Sequence, residues 1–386
     1  MNNFADKLTV LRRLSGDRLF ASFADACAGG SLEKFYFELY DCGAENDFLE
    51  RLCALILTDD NAFARTCARG DTPSAYLTDA FSSDLGAIFA AAEEFENDEH
   101  FNLGNVIPPF DGDMESDRCT DNLSEFYAAH GYGQFITYKA FSYRDGKLAP
   151  IAQISPVTLE ELKDYRDEKE RINENILNFL GGLPYANMLL YGDRGTGKSS
   201  TVHAMLNKYC DDGLRLIELS KENILCVPDI RQLIADNPLK FIIFIDDLSL
   251  GEYDDKVSSL KAALEGTVSG GCDNIMIVAT SNRRHIVKES FSDRENSVHP
   301  ADSMAEQLSL SDRFGLTVMF SSTDKAQYLS IVTQLADDAN IACDRQKLAA
   351  LAERWALIKG GRSPRRARQF VDFIYAREQR GIDVDF

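Results

Sequence analysis

The chain of 386 residues is long enough for two or three domains, and its hydrophobic content of 45% is typical of a globular protein. A formal net charge of −21 argues against extensive binding to nucleic acid, which requires a basic surface. Nine cysteines without a C-x-x-C pair, and five histidines that do not cluster with them, indicate buried thiols in a reducing cytosol. Because Asp6 and Lys7 interrupt the first ten residues and no apolar run approaches the length of a membrane span, we expect a cytoplasmic protein without membrane contact.

Residues 1–130 predict an acidic and mostly helical domain. The first 150 residues carry 12 basic and 26 acidic side chains, against 29 and 36 in the remainder. Apolar residues recur at helical spacing from Phe4 to about Glu99, whereas residues 101–131 are rich in Asn, Pro, Gly and Asp and predict a loop or linker. We interpret one group of aromatic residues as core rather than as a binding surface: Phe35, Tyr36, Phe37 and Tyr40.

Residues 131–155 predict a connector built on a β-hairpin. Its strands are Phe135–Tyr143 and Leu148–Ile154, and the four residues between them, Arg-Asp-Gly-Lys, are typical of a turn. No residue up to this point carries catalytic chemistry that the sequence alone reveals.

Residues 156–322 alternate helices with apolar strands and predict an α/β core. The first helix begins at the N-cap Thr158, and Glu161 completes its capping box. The later elements, in order, are strand Asn187–Tyr191, helix Lys198–Tyr209, strand Leu214–Leu219, a helix around Val227–Ala235, strand Phe241–Asp247, helix Lys256–Glu265, strand Ile275–Thr280 and strand Gly315–Phe320. A charged, flexible insertion is predicted at 288–307, and residues 323–386 predict a helical lid.

The segment Met188–Ser200, MLLYGDRGTGKSS, predicts a strand, a glycine-rich loop and the start of a helix. It fits the pattern G-x-x-x-x-G-K-[ST], in which backbone N–H groups and the helix N-terminus face phosphate oxygens. Lys198 would contact the β- and γ-phosphates, and the Ser199 hydroxyl would bind Mg²⁺. We therefore predict that the nucleotide is bound by Gly192, Asp193, Arg194, Gly195, Thr196, Gly197, Lys198, Ser199 and Ser200.

Two carboxylates follow the apolar run FIIFI, which is typical of a buried parallel strand. Ligands of open α/β sheets bind at the carboxyl ends of the strands, where Asp246 and Asp247 are predicted to lie. Asp246 would hold the Mg²⁺, and Asp247 would polarise the attacking water. A polar residue at the tip of the next strand, near Asn282, would hold that water close to the γ-phosphate.

In this order, the motifs resemble those of the AAA+ ATPases, over about residues 156–381. The DRFG and SPR–A sequences are similar to those of branch-migration motors and replication initiators. The phrases YGDRGTGKSS, DDLS, LKAALEG and ATSNRRH resemble a bacterial family of AAA+ ATP-binding proteins without an assigned cellular role. The resemblance implies a P-loop core with a five-stranded parallel sheet, a C-terminal helical lid, a mostly helical N-terminal domain, and ATP, ADP and Mg²⁺ as ligands.

The resemblance also implies roles for single residues. These are Lys198 and Ser199 as Walker A, Asp246 as the Walker B magnesium residue, Asn282 as sensor 1, Arg313 as the arginine finger, Arg365 as sensor 2, and Tyr165 beside the adenine. Because the arginine finger acts on the nucleotide of a neighbouring subunit, the resemblance implies a homo-oligomer. Most AAA+ proteins have Glu at the position of Asp247, and the shorter side chain would favour slow turnover.

Two functions fit the sequence. The first is an ATPase that remodels a partner complex, which it would bind through the acidic N-terminal domain. The second is a nucleotide-dependent switch or scaffold with little turnover. Residues 220–228 lack the aromatic-hydrophobic-glycine pore loop of protein unfoldases, which argues against a machine that threads polypeptides.

Overall fold

A computed structural model describes residues 3–44, 47–99, 103–251, 255–266, 274–282, 287–288 and 312–382. The chain divides into two compact units. Unit 1 comprises Met1–Tyr138 and Ile234–Leu239, and unit 2 comprises Lys139–Leu233 and Lys240–Phe386.

Unit 1 is helical, as the sequence predicts. After two short 3₁₀ helices, Phe4–Lys7 and Arg12–Gly16, its helices are α1 (Arg18–Cys27), α2 (Leu32–Asp41), α3 (Phe48–Leu57), α4 (Ala62–Ala68), α5 (Ala75–Glu99), α6 (Ser116–His130) and the single turn α7 (Gln134–Thr137). The Phe23 ring lies 4.9–5.9 Å from the rings of four other phenylalanines: Phe4, Phe35, Phe48 and Phe95. This aromatic cluster is the centre of the unit 1 core.

The predicted core role of the α2 aromatics is only partly correct. Phe35 is fully buried in the cluster, but Phe37 and Tyr40 are 65% and 62% exposed. In a helix, residues two and five positions apart point in different directions, so a run of aromatics cannot all face one core. Phe37 and Tyr40 therefore lie on the surface of unit 1.

Helix α6 lies where a loop was predicted. Its buried stripe consists of Cys119, Leu123 and Tyr127, spaced four residues apart, and the Tyr127 hydroxyl donates to the Ile56 carbonyl at 3.2 Å. Only every fourth residue needs to be apolar for such a helix to pack, so the many polar residues between them concealed it.

Unit 2 contains a seven-stranded sheet with the order β2-β1-β4-β5-β7-β3-β9. The strands are β1 (Ala140–Arg144), β2 (Lys147–Ile151), β3 (Met188–Gly192), β4 (Leu214–Glu218), β5 (Lys240–Ile245), β7 (Ile275–Ser281) and β9 (Leu316–Phe320). The short strands β6 (Leu250–Gly251) and β8 (Val287–Lys288) pair separately. The expected α/β fold with five parallel strands is confirmed in β4-β5-β7-β3-β9.

The predicted hairpin extends this sheet to seven strands. Strands β1 and β2 pair antiparallel, and β1 pairs parallel with β4. Residues 135–137, predicted as strand, instead lie in the single turn of helix α7, so β1 begins at Ala140.

The remaining helices of unit 2 flank the sheet or follow it. They are α8 (Arg166–Leu180), α9 (Lys198–Tyr209), α10 (Val227–Ile234, which ends in unit 1), α11 (Asp255–Gly266), α12 (Lys325–Asp338), α13 (Arg345–Ile358) and α14 (Pro364–Gln379), with a 3₁₀ helix at Lys221–Cys226. Helices α12 to α14 form a separate apolar cluster and constitute the predicted helical segment after the last strand. Pro364 is the first residue of α14, and Ser363 caps the helix by accepting from the Arg366 N–H.

Helix α8 begins seven residues later than predicted, with Tyr165 rather than Thr158 as its N-cap. The two hydrogen bonds between Thr158 and Glu161 are present, at 3.3 and 3.4 Å, so the capping box forms. The helix does not continue from it, because Asp164 and Tyr165 adopt left-handed backbone conformations with φ of 70° and 54°. The reversal turns Tyr165 inward, against Phe320 of β9.

Across the part of the chain that the structure describes, no helix has both the length and the apolar character needed to span a membrane. The predicted insertion at 288–307 lies outside the described residues apart from Lys288.

Candidate nucleotide-binding site

A cavity of ≈ 580 Å³ lies at the carboxyl ends of β3, β5 and β7. Its walls come from the loop before α9, the ends of two sheet strands, the segment before α8, and two lid helices, α12 and α14. This is the edge at which open parallel sheets bind ligands.

The loop Gly192–Gly197 requires glycine at its two ends. Gly192 has φ of 132°, and a Cβ there would lie 2.0 Å from the Phe320 carbonyl oxygen. Gly197 has φ of 99° and precedes the first residue of α9. The backbone can therefore wrap toward the cavity and present the N-terminus of α9 to it, where an anion is stabilised.

Lys198 is buried at the base of this loop. Its Nζ donates to the carbonyl oxygens of Gly192 at 2.9 Å and Asp193 at 2.8 Å. Burial lowers the pKa of Lys198, and the carboxylates of Asp193, Asp246 and Asp247 oppose that shift. The loop thus holds an amine within reach of any phosphate in the cavity.

Oxygen atoms converge beside Lys198. The Ser199 hydroxyl donates to Asp246 Oδ1 at 2.6 Å, and the Thr280 hydroxyl donates to the same oxygen at 2.5 Å. Magnesium in nucleotide sites is held by one or two protein oxygens together with phosphates and waters. A serine hydroxyl adjoining a carboxylate at the mouth of the loop therefore fits Mg²⁺.

Asp247 has an unusual backbone and a fixed side chain. Its φ is 50°, and its Oδ1 accepts from Asn282 Nδ2 at 2.6 Å. Asn282, the predicted sensor 1, thus contacts the predicted water-polarising carboxylate directly. The sequence placed both at strand tips but did not predict this contact.

The other end of the cavity is apolar. Tyr165 lies there with its ring 5.1 Å from that of Phe320, and its hydroxyl donates to the Ser321 carbonyl at 2.5 Å. Burial raises the pKa of Tyr165. Ile331 and Leu335 of α12 also line the cavity. Flat apolar walls of this kind suit a purine base.

The lid helices close the cavity on one side. The Arg365 N–H donates to the Gly195 carbonyl at 3.1 Å, so α14 begins directly against the phosphate loop. Arg368 donates to the Glu161 carbonyl at 3.3 Å, and Lys163 pairs with Asp338 of α12 at 2.8 Å. The lid is thereby joined to the glycine-rich loop and to the segment before α8.

The structure brings most of the predicted residues together. Those lining the cavity are Tyr165, Arg194, Gly195, Thr196, Gly197, Lys198, Ser199, Ser200, Asp246, Asp247, Asn282 and Arg365. Gly192 and Asp193 support the loop through their carbonyl groups. Arg313 lies in the turn before β9 and is not among the residues that line the cavity.

Sequence reasoning missed several lining residues. Thr280 lies two residues before Asn282 on the same strand tip, which was a usable signal. Arg368 and Gln369 follow Arg365 by three and four residues and share its helix face, so helical spacing also could have found them. Lys169 carried no such signal, because it reaches the cavity only through the left-handed turn at 164–165.

The five parallel strands, the glycine-rich loop between β3 and α9, the acidic pair after β5 and the helical lid after β9 define a P-loop nucleotide-binding protein of the AAA+ class. Residues 136–378 match the family described as protein of unknown function DUF815. The match covers well over half of the chain, and the protein belongs to this family.

More distant relatives belong to the same class. AAA-ATPase At2g46620 of Arabidopsis thaliana is 32% identical over 114 residues, which are 27% of this chain and 23% of that protein. AAA-ATPase At3g28510 of the same plant is 29% identical over 119 residues, 28% of this chain and 22% of that protein. The chain thus spans less than a quarter of either relative.

Two solved structures are also similar at low identity. The Thermotoga maritima RuvB Holliday junction branch migration motor has a TM-score of 0.40 at 14% identity, with 59% of this chain and 72% of that chain covered. The FIGL-1 AAA domain in complex with ADP has a TM-score of 0.40 at 15% identity, with 60% and 76% covered.

Proposed function

We propose that this protein binds ATP with Mg²⁺ and hydrolyses it to ADP and phosphate. The observation that carries the proposal is the convergence of Lys198, Ser199, Asp246 and Asp247 in one cavity beneath Arg365. These groups supply what phosphoryl transfer needs, which is positive charge at the phosphates and an oriented nucleophile.

In the proposed mechanism, Lys198 exchanges its loop carbonyl partners for the β- and γ-phosphate oxygens. Ser199 and Asp246 would hold Mg²⁺, which neutralises charge on the transferring phosphoryl group. Asp247, kept in place by Asn282, would orient the attacking water and accept its proton. Arg365 would stabilise the equatorial oxygens from the lid.

We further propose that the active form is a homo-oligomer. Arg313 does not line the cavity of its own chain, which is the placement expected of an arginine that completes a neighbour's site. The phosphate-binding groups of one chain would then be incomplete without the Arg313 of the next.

The proposed domains are an acidic N-terminal domain at residues 1–130, a connector at 131–155, a core at 156–322 and a lid at 323–386. The N-terminal domain would bind the partner complex to which hydrolysis is coupled. Unit 1 offers a groove lined in part by Arg12, Arg13 and Arg65. Asp60 also lines this groove and pairs with Arg13 and Arg65. The acidic composition of the domain favours a protein partner over extended nucleic acid. We place this activity in the cytoplasm.

The alternative is a nucleotide-dependent switch or scaffold with little turnover. It is supported by the short side chain of Asp247, one of whose oxygens already accepts from Asn282 at 2.6 Å. A carboxylate held in this way reaches less far toward a water at the γ-phosphate than a glutamate would.

Lys198→Ala tests nucleotide binding. We expect ATP affinity, measured by titration calorimetry, to fall by about a hundredfold or more, because the phosphates lose a charged donor. The matched control is Lys208→Ala, which removes an exposed lysine from the same helix and should bind as wild type does. Wild-type affinity in Lys198→Ala would contradict the site. The rate of phosphate release by the wild-type protein then distinguishes the two proposals, because an ATPase releases phosphate continuously and a switch releases little.

A further inference from the structure

Thr280 makes contacts that neither the motif order nor the proposed roles account for. It lies near the end of β7, is 2% exposed, and lines the cavity. Its hydroxyl donates to Asp246 Oδ1 at 2.5 Å and accepts from the Asp247 N–H at 2.9 Å. One hydroxyl group therefore contacts both acidic residues.

The donor and acceptor roles in this arrangement are fully assigned. A threonine hydroxyl has one proton and two lone pairs, so giving the proton to Asp246 leaves a lone pair for the Asp247 N–H. The Thr280 carbonyl in turn accepts from the Leu248 N–H at 2.7 Å. Thr280 thus fixes the turn after β5 through both its side chain and its main chain.

This turn needs such support. Asp247 has φ of 50°, and residues other than glycine keep that conformation only where the surrounding structure enforces it. The hydrogen bond to Thr280 is made by the N–H of the strained residue itself. Two hydrogen bonds therefore orient the Asp247 carboxylate. In one, the Asp247 N–H donates to Thr280, and in the other, the Asp247 side chain accepts from Asn282.

We infer that Thr280 is a positioning residue that couples the magnesium carboxylate, Asp246, to the water-polarising carboxylate, Asp247. The inference rests on the proposed function. The Thr280 hydroxyl orients the Asp246 oxygen that Ser199 also contacts, so it governs how that oxygen meets Mg²⁺. The same hydroxyl sets the backbone angle from which Asp247 reaches the water.

The test uses the full chain with three substitutions. Thr280→Val keeps the shape of the side chain and removes the hydroxyl, whereas Thr280→Ser keeps the hydroxyl. Thr120→Val is the matched control, because Thr120 is an equally buried threonine whose hydroxyl donates to the Ser116 carbonyl on α6 of unit 1. Calorimetry measures ATP affinity in EDTA and in Mg²⁺, and phosphate release gives kcat and KM.

In EDTA, we expect Thr280→Val to bind ATP as wild type does. Its gain in affinity on adding Mg²⁺ should fall by about tenfold, as is typical when a group that orients a metal ligand is removed. Its kcat should fall by about ten- to a hundredfold with a smaller change in KM, and Thr280→Ser should recover both to within about threefold. Should Thr280→Val not fold, Thr280→Ala removes the same hydroxyl and carries the same expectation.

An undiminished Mg²⁺ gain in the folded variant that lacks the hydroxyl would overturn the inference. So would a Thr280→Ser variant as impaired as Thr280→Val, because that result assigns the effect to packing of the methyl group. Failure of the wild-type protein to bind ATP in either condition would instead overturn the proposed function.

Discussion

The two units bury polar side chains for different purposes. In unit 1, Asp84 is buried, and its carboxylate accepts from the Thr9, Val10 and Leu11 N–H groups at 2.8–3.1 Å and from the Thr9 hydroxyl at 3.4 Å. Each of these partners is fixed by the fold of the unit. The carboxylate therefore ties the N-terminal segment to helix α5 and has no further lone pair to offer a ligand.

In unit 2, four of the buried polar residues line the cavity: Thr196, Lys198, Thr201 and Thr280. Lys198 donates to the carbonyl oxygens of Gly192 and Asp193 in the loop beside the cavity, and the Thr280 hydroxyl contacts the Asp246 carboxylate and the Asp247 N–H. Burial is costly for such groups unless they are paired, and Asp84, Lys198 and Thr280 each have hydrogen-bond partners. What separates structural from functional polar residues is whether their partners can be exchanged for a ligand.

The largest effect that we expect is a loss of ATP hydrolysis when Arg313 is replaced, and it would sharpen the comparison between the two units. We expect Arg313→Ala to bind ATP normally and to hydrolyse it about a thousandfold more slowly, because an arginine supplied in trans stabilises the charge of the transition state. Phosphate release per subunit should also rise with protein concentration in the wild type. Arg18→Ala, an exposed arginine of α1, is the control and should not change the rate.

Mixing variants tests whether Arg313 acts between chains. Arg313→Ala binds ATP, and Lys198→Ala retains the arginine, so a mixture should hydrolyse faster than either alone. A rate that is independent of concentration in a monomer, and equal in Arg313→Ala, would leave Arg313 outside the mechanism.

The next effect concerns Asp84 and falls on stability alone. Asp84→Ala removes the acceptor of three N–H groups, one of them on the buried Leu11, so we expect the free energy of unfolding of unit 1 to fall by about 3 kcal/mol, with ATP affinity unchanged. Asp79→Ala, an exposed residue of the same helix, is the control for calorimetric melting. A loss of ATP binding in folded Asp84→Ala would break the division between the units.

Sequence was sufficient for the parts of the fold that depend on local pattern. Buried parallel strands appear as continuous apolar runs, and the phosphate loop carries glycines that its backbone angles require, so β3, β5, β7 and the loop were predictable. Helix α6 was not, because its three buried apolar positions are spaced four residues apart among mostly polar residues.

Contacts between residues far apart in the chain could not be predicted from the sequence. The pairing of β1 with β4 joins residues more than seventy positions apart, and no local signal specifies it. The left-handed turn at Asp164 and Tyr165 overrode a capping box whose hydrogen bonds do form. The sequence could locate Thr280 at a strand tip. Its contacts with Asp246 and Asp247 depend on the turn after β5, which is a different strand.

The smallest effects that we expect follow from removing the hydroxyl of a buried tyrosine, one in each unit. Tyr127 donates to the Ile56 carbonyl at 3.2 Å, and Tyr165 donates to the Ser321 carbonyl at 2.5 Å. Replacing either by Phe removes one hydroxyl and leaves a carbonyl without that donor, at a cost of about 1 kcal/mol.

For Tyr127→Phe, we expect that cost to appear in the melting of unit 1 and not in ATP affinity, because the residue lies in the core around Phe63. For Tyr165→Phe, the same loss loosens the wall at the apolar end of the cavity. ATP and ADP affinity should then fall together by about fivefold, since both nucleotides carry the same base. Equal affinities in Tyr165→Phe and wild type would place the base elsewhere in the cavity, and a changed ATP affinity in Tyr127→Phe would show that unit 1 influences the site.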